Sequence, residues 1–324
     1  MTLFLSEKQV SNLLTMPEAL QVVEEAFRHI ATGEALQQPR RRLIMPKGIY
    51  HIMPAADLQT ETFGVKLYTS FSPRTRFLFL LYSSQNGDLL AVIEADKLGQ
   101  VRTGAASGIA TKLLANHADP LRVGLFGAGW QAETQIEAVC TACTVQQVLV
   151  YSRTPERREA FCNKMSTLLR QDIRPAESPE EVVRNSNVII TATNSISPVL
   201  QGAWLRPGTH INAVGSNMLI RQELDIETIR RSDLIVVDSI EQARLEAGDL
   251  LPAFERGYFR WEQAVELAQI VNRQHPGRTK PEQITLFKSL GVALEDVAVA
   301  THVYKKALHQ GIGEERPFWI EPLP

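Results

Sequence analysis

Residues 123–132 read Val123-Gly124-Leu125-Phe126-Gly127-Ala128-Gly129-Trp130-Gln131-Ala132: an apolar run, a Gly-x-Gly-x-x-Ala turn and the start of a helical pattern. Gly127 permits a tight turn. Gly129 lets the backbone approach a diphosphate with no Cβ in the way, and Ala132 allows close helix–strand packing. The helix that follows offers unpaired N–H groups and a positive dipole end to phosphates, so Trp130 and Gln131 belong to the same cradle. The glycine pattern alone is weak. Here a strand precedes it and a helix and second strand follow, which is the context a dinucleotide-binding fingerprint requires. The second strand ends at Tyr151-Ser152-Arg153-Thr154, with no acidic residue to bind a ribose 2′-OH. Ser152 and Thr154 can donate to a phosphate and Arg153 can pair with its charge, so NADP(H) is favoured over NAD(H). The alternative is a solvated Arg153, with NAD(H) bound without the acidic anchor. Thr191-Ala192-Thr193 and Val214-Gly215-Ser216-Asn217 follow two further apolar runs. Ligands of open α/β sheets sit beyond the carboxyl ends of strands, so these turns are expected to face the same cleft, as ordinary loops or as contacts to ribose or nicotinamide.

The elements that position these residues follow from periodicity. Leu121–Phe126, Gln147–Tyr151, Asn187–Thr191, His210–Val214 and Leu234–Val237 read as short apolar strands with helical stretches between most of them. That alternation predicts an α/β fold, a Rossmann-type doubly wound parallel sheet. Ahead of it lies a smaller α+β domain. Met16-Pro17-Glu18 opens an amphipathic helix with Gly33 as its stop. Strand-like pieces follow at Gly48–Met53, Phe63–Thr69, Phe77–Tyr82 and Leu89–Glu94, the last two joined by an Asn86-Gly87-Asp88 hairpin signal. Small residues from Thr103 to Ala115 suggest a helix, and the character changes at Asp119-Pro120. The expected domains are 1–115, joined by a C-terminal segment 291–324 with a long helix over about 289–309, and 116–290.

Bulk properties exclude several classes. The chain has 324 residues, beyond one ordinary core, with 44% hydrophobic and 22% charged residues. A formal net charge of −2 gives no sign of a nucleic-acid or anionic-membrane partner. No apolar run is long enough to span a bilayer, and Met1–Val10 lacks the pattern of a secretory leader, so the cytoplasm is the expected compartment. The 3 cysteines form no disulfide framework; Cys140 and Cys143, despite their C-x-x-C spacing, read as buried or semi-buried thiols. The 7 histidines show no metal-ligand spacing, so no metal site is expected.

In combination and order, the motifs resemble the ornithine cyclodeaminase/mu-crystallin family through nearly the whole chain. The resemblance rests on Gln38-Pro39-Arg40-Arg41, Gly64-Val65-Lys66, Arg102-Thr103-Gly104-Ala105-Ala106, the residue 127–132 turn, His210-Ile211-Asn212-Ala213-Val214-Gly215, Glu223-Leu224-Asp225 and Phe287-Lys288-Ser289-Leu290-Gly291. It implies an amino or imino acid handled next to a nicotinamide, and a homodimer built through the first domain. It also implies that Arg41, Lys66 and Arg102 line the substrate pocket. A planar guanidinium suits a carboxylate, and Arg102, just before the small-residue helix, would add that helix terminus. Lys66, with Val65 and Leu67 pointing the other way, would bind the carboxylate or donate a proton. Arg40 and Arg42 flank Arg41, so the register there stays open by one residue. Arg221 takes the slot of a family Lys that contacts cofactor, and Ser289 and Leu290 fall near nicotinamide or substrate.

One departure bears on the reaction. Cyclodeaminases of the family carry an Asp two residues after the Val-Gly turn, where this chain has Asn217, and an amide cannot accept a proton as a carboxylate can. The reading is therefore an NAD(P)H-dependent oxidoreductase acting on the α-carbon of a small imino or amino acid, with Lys66, Arg102 and Asn217 as catalytic residues. Cyclodeamination with recycled NAD and a catalytically weak NADP(H)-binding protein of mu-crystallin type are the alternatives. Asp225 reads as a helix N-cap. Met53, Tyr68 and Phe71 read as core rather than pocket, and Glu246 and Asp249 as a solvated turn rather than a cap over the cofactor.

Overall fold

Between residues 48 and 83 the chain forms its longest strands, three of 10 residues each. The computed structural model describes residues 1–318, so the part of the expected C-terminal segment from residue 319 on lies outside the described residues. In chain order, the first elements are β1 (Thr2–Leu5), α1 (Glu7–Leu13), α2 (Met16–Ala31), β2 (Ala35–Gln37), β3 (Arg41–Met45), β4 (Gly48–Asp57), β5 (Thr62–Phe71), β6 (Arg74–Ser83), β7 (Leu89–Glu94) and α3 (Asp96–Leu114). Then come β8 (Leu121–Phe126), α4 (Trp130–Ala142), β9 (Val145–Tyr151), α5 (Pro155–Leu169), β10 (Ile173–Pro175), α6 (Pro179–Arg184), β11 (Val188–Thr191), β12 (His210–Ala213) and α7 (Ile226–Arg231). The remainder are β13 (Leu234–Val237), α8 (Ile240–Glu246), α9 (Leu251–Glu255), β14 (Ala264–Glu266), α10 (Leu267–Val271), β15 (Thr285–Lys288), α11 (Ala293–Gln310) and β16 (Glu314–Arg316).

The chain divides into two compact units, Met1–Arg102 with the chain from Val292 onward, and Thr103–Gly291. The division falls inside α3, whereas the sequence places it near residue 116. Hydrogen bonds explain where it falls. Glu7 accepts from the Asp96 and Lys97 amides and Asp96 accepts from that of Phe77, which ties the first turn of α3 to the first unit. Gln135 donates to the Thr103 carbonyl and Asn212 to the Thr111 hydroxyl, which ties the later turns to the second.

In the first unit the sheet order is β16-β1-β7-β6-β5-β4-β2, with β3 also paired to β4. Every pairing is antiparallel except that of β1 with β7. The period-2 pattern is strict in β4 and in most of β5: His51, Met53, Ala55 and Asp57 are buried in one, Thr62, Gly64, Lys66 and Tyr68 in the other. Helix α11 packs on β4 and β5, so Lys66 lies on a covered face. Helix α2 buries Ala19, Val23, Ala26 and Phe27, and its Thr15–Glu18 capping box satisfies its first turn.

In the second unit all strand pairs are parallel, in the order β10-β9-β8-β11-β12-β15-β13-β14. Its first five strands in sequence thus stand in the order third, second, first, fourth, fifth, the doubly wound arrangement with its switch point between β8 and β11. Val123 and Leu125 join the apolar cluster on one face of the sheet, and Phe126, Ile189 and Ile211 the cluster on the other. Short connections are set by caps. Asp225 accepts from the Thr228 amide and hydroxyl at the start of α7 and from the Gly202 amide, which is the N-cap expected of it. Asp225→Ala is expected to lower the unfolding free energy by about 1–2 kcal/mol, read from a denaturant titration with unchanged m-value.

Candidate active site

The candidate residues fall into two sets, one in each unit. In the second unit, the chain leaves β8 through Gly127, whose φ is +109° and whose Cβ, if present, would lie 2.5 Å from the Ala192 carbonyl oxygen. Only glycine suits that position. Gly129 is the extended residue before α4, and a Cβ there would project into open space. The first-turn amides at Trp130 and Gln131 thus border an open cradle, with Trp130 itself 48% exposed. The fit to a diphosphate is direct: an open approach, a helix N-terminus and the carboxyl end of the first strand at the switch point. Ala132 is fully buried, as close packing requires.

The turns after β11 and β12 are fastened to one buried carboxylate that the sequence reading did not single out. Glu223 accepts from the Thr193 amide at 2.6 Å, the Gly215 amide at 2.8 Å and the Thr191 hydroxyl at 2.9 Å. Burial raises its pKa, while Lys288 and the Thr193 donors oppose the rise. Asp249 in turn accepts from the Glu223 and Leu224 amides and pairs with Lys288 at 2.9 Å. Lys288 also donates to the Ser216 carbonyl at 2.6 Å. Asp238 takes the Leu290 and Gly291 amides. Thr193, Val214, Gly215, Ser216, Ser289 and Leu290 are therefore all held at the carboxyl edge of this sheet. Asn217 and Arg221 sit half-buried in the loop after β12. Asp249 and Glu246 are buried, which corrects the reading of them as a solvated turn. Their acidic side chains serve internal donors rather than water; a stretch such as Glu-Ala-Gly-Asp gives no periodicity from which to see that.

At the end of β9, Arg153 and Thr154 are exposed and Ser152 is half-buried, its hydroxyl donating to the Thr154 carbonyl. Beneath them Arg158 is buried, its guanidinium 5.5 Å from the Tyr151 ring centroid and its Nη1 donating to the Ser152 carbonyl. This second cation went unnoticed in the sequence because it lies one helical turn into α5. Cys140 and Cys143 are half-buried and Cys162 buried; burial pushes the Cys140 thiol up to about 12 and the Cys143 thiol to about 11. Among the described residues no group of three or more His, Cys, Asp or Glu could hold a metal ion.

In the first unit, Lys66 and Arg102 meet. Both are buried, and both bind Asp296 Oδ1 at 3.0 Å, through Lys66 Nζ and Arg102 Nε. Arg102 Nη1 also donates to Glu295 at 2.7 Å. Burial, then the Arg102 charge, pull the Lys66 ammonium down to about 8, against the pull of Asp296. Burial opposes the Arg102 charge too, but Asp296 and Glu295 more than offset it and hold that group above its ordinary value.

Two expectations are corrected here. Arg40, not Arg41, is the arginine brought to Lys66: Arg41 is exposed, while Arg40 is buried against Met53 Sδ and is one of the cations that lower Lys66. Pairing of β3 with β4 sets Arg41 opposite Ile52, on the face turned away from Met53 and Lys66. Arg102 does not precede a helix start, because α3 begins at Asp96 and Arg102 lies in its second turn, beyond the reach of the terminal dipole. Met53 and Tyr68 are buried as core, with Tyr68 stacked on His51, whereas Phe71 is 38% exposed at the end of β5. Asp296 and Glu295 were missed. The signal was there: two adjacent acids in the first turn of a helix whose neighbouring residues through Ala300 are all apolar, where a buried charge requires a partner.

The strand order and the cradle define the second unit as a Rossmann-type domain, accompanied by an α+β unit with a buried cation cluster. The chain belongs to the Ornithine cyclodeaminase/mu-crystallin family, which matches residues 1–311. It is 32% identical to Delta(1)-pyrroline-2-carboxylate reductase of Bacillus cereus, over 98% of this chain and 100% of that one. The structure of Thermococcus litoralis Delta(1)-pyrroline-2-carboxylate reductase in complex with NADH and L-proline superposes with a TM-score of 0.93 at 36% identity, covering 97% of this chain and 100% of that one. An archaeal alanine dehydrogenase dimer with bound NAD gives 0.92 at 34% identity, covering 98% and 99%.

If Glu223 fastens both turns, Glu223→Gln turns a donor group toward donors. Amide hydrogen exchange at Thr193 and Gly215 is expected to quicken sharply while global stability falls by about 1–3 kcal/mol. Unchanged protection at both amides would remove Glu223 from that role.

Proposed function

We propose that this chain is an NAD(P)H-dependent oxidoreductase that transfers a hydride between a nicotinamide and the α-carbon of a small imino or amino acid. The observation that carries the reading is the buried Lys66–Arg102 pair fixed by Asp296, in a chain whose other unit holds an open diphosphate cradle. Relatives that reduce a cyclic imino acid or oxidise alanine, at 32–36% identity over nearly their full length, support it.

Gly127, Gly129 and the amides of Trp130 and Gln131 would hold the diphosphate. Thr193, Val214, Gly215, Ser216, Arg221 and Ser289 would line the ribose and nicotinamide end. Ser152, Arg153 and Thr154, with Arg158 beneath, favour NADP(H), because two cations stand at that strand end and residues 152–154 include no acid. When bound, the dihydronicotinamide supplies the hydride. The chain's residues do the rest. Arg40 and Arg102 hold the substrate carboxylate; Nε and Nη1 of Arg102 are taken by Asp296 and Glu295, which leaves Nη2 for the ligand. The cluster of Lys66, Arg102 and Arg40 against Asp296 and Glu295 keeps one net positive charge, matched by one carboxylate. Lys66, whose ammonium burial pulls down to about 8, gives a proton to the imine nitrogen in reduction and takes it back in oxidation. Leu290 would contact the substrate's apolar part. Asn217 would orient the nitrogen as a hydrogen-bonding amide. It has no carboxylate with which to move protons repeatedly, and this ranks cyclodeamination behind imine reduction.

A homodimer and a cytoplasmic location complete the proposal. Leu43 and Ile44 in β3 are 59% and 79% exposed beside Met45, an apolar strip suited to cover by a second copy. Three free thiols suit a reducing compartment.

The test is a screen of 2-oxo acids with amines, cyclic imino acids and amino acids against both cofactors. A net change in nicotinamide absorbance is expected. Ammonia release without such a change would replace the reading with cyclodeamination, and cofactor binding without turnover would replace it with a binding protein. Lys66→Ala is expected to lower turnover at least about 100-fold while cofactor affinity, followed by fluorescence, stays nearly intact. Full activity in that variant would remove Lys66 from the mechanism. Arg153→Ala is expected to raise KM for NADPH about tenfold, a loss of about 1.4 kcal/mol, and to leave KM for NADH nearly unchanged.

A further inference from the structure

Asp296 stands in the first turn of α11 and is fully buried. Its Oδ1 accepts from both Lys66 Nζ and Arg102 Nε, and its Oδ2, equally buried, has no hydrogen-bond partner among the described residues. Both donors meet at the same atom, so the lysine nitrogen and the guanidinium lie side by side.

Lys66 is confined on its other sides as well. A Cβ on Gly99 would lie 2.7 Å from Nζ, so α3 leaves room for that nitrogen only because residue 99 has no side chain. The Phe77 ring of β6 lies 5.2 Å from Nζ, and Phe79 is opposite Lys66 in the sheet. The charged and titratable groups around it are Asp296 and Glu295 from α11, Arg102 from α3, Arg40 ahead of β3, and His51 on the same face of β4. Burial, then Arg42 and Arg40, hold His51 down to about 3, so it stays neutral while Lys66 titrates. Asp296 is thus the carboxylate in contact with the ammonium, set against two arginines.

We propose that Asp296 is the positioning residue of the reaction: it fixes the Lys66 nitrogen in one place and keeps a proton on it, thereby setting which direction of the reaction runs at a given pH. The proposal rests on Lys66 being the proton carrier. In reduction, the C=N carbon gains a hydride from a dihydronicotinamide and the nitrogen gains a proton from the Lys66 ammonium. The neutral amine left on Lys66 recovers its proton from water. In oxidation, the same amine takes the proton from the substrate nitrogen. Reduction needs protonated Lys66 and is lost as pH rises through its midpoint; oxidation needs the neutral amine and is lost as pH falls through it. Removing the Asp296 charge takes away an attraction that favours the protonated form, so the midpoint moves down.

The test is Asp296→Asn, read in two ways. In the ligand-free full chain with 13Cε-labelled lysine, the Lys66 resonance, assigned by its absence in Lys66→Arg, is expected to titrate at about 8 in the wild type. In D296N the midpoint is expected to fall by about 1–3 pH units. In steady-state assays the alkaline limb of reduction and the acid limb of oxidation move down together, so D296N loses reduction and gains relative oxidation at neutral pH. A merely structural role would lower both directions and leave both limbs in place, and that result overturns the proposal. If the resonance shifts but no substrate is turned over, the oxidoreductase reading fails and the assignment of Asp296 as partner of Lys66 stands. If the amide does not fold, Asp296→Glu carries the test: it keeps the charge, and a Lys66 midpoint displaced by a full pH unit or more overturns the proposal as well.

Discussion

A carboxylate surrounded by apolar side chains stays charged only where donors and cations converge on it, and each unit of this fold is arranged around such a group. Asp296 gathers Lys66 and Arg102 from a strand and a helix far apart in sequence. Glu223 gathers the amides of two strand-end turns and a threonine hydroxyl. Losing one partner of such an arrangement costs more than the arrangement adds, because the remaining charge is stranded. The backbone around both carboxylates is thereby constrained to one geometry, which is what positioning a small reactant demands.

The two arrangements differ in what they hold. Among the described residues Glu223 is met by neutral donors, and it is relayed through Asp249 to Lys288. It therefore fixes shape. Asp296 is in contact with cations and fixes charge as well as shape. In the first unit this lets a lysine reside under a sheet, where burial alone would strip its proton, yet remain close to its ionisation point.

Much of this was legible in the sequence. The residue 127–132 turn, its preceding strand and the parallel alternation identified the second unit, because glycine positions and strand periods are local signals. Alternation set Lys66 on the face of β5 opposite Val65 and Leu67, while its assignment to a pocket came from the family resemblance and its burial only from the packing of α11. The arginine triplet was not resolvable: a one-residue register shift exchanges a buried side chain for an exposed one, and only pairing of β3 with β4 settles it. The buried acids were read too blandly for a related reason. Asp249 and Glu246 look like turn residues, and Glu295 and Asp296 look like an ordinary acidic first turn, since composition does not say that Lys66 and Arg102 arrive at Asp296 from 230 and 194 residues away. Strand β15 was missed because four residues, Thr285–Lys288, carry little period, and its apolar character matches that of a loop packed inside.

That strand has a consequence for how the polypeptide is made. β15 is inserted between β12 and β13, so a nascent chain that has emerged only to residue 284 has no means of joining β13 and β14 to the rest of their sheet. Helix α11, which covers β4 and β5, emerges later still. Both units therefore wait on chain from Thr285 onward, and until it is made each exposes apolar surface and unpaired edges. Formation of both units thus depends on chain made after residue 284, and until that chain is available their open edges can pair with neighbouring molecules.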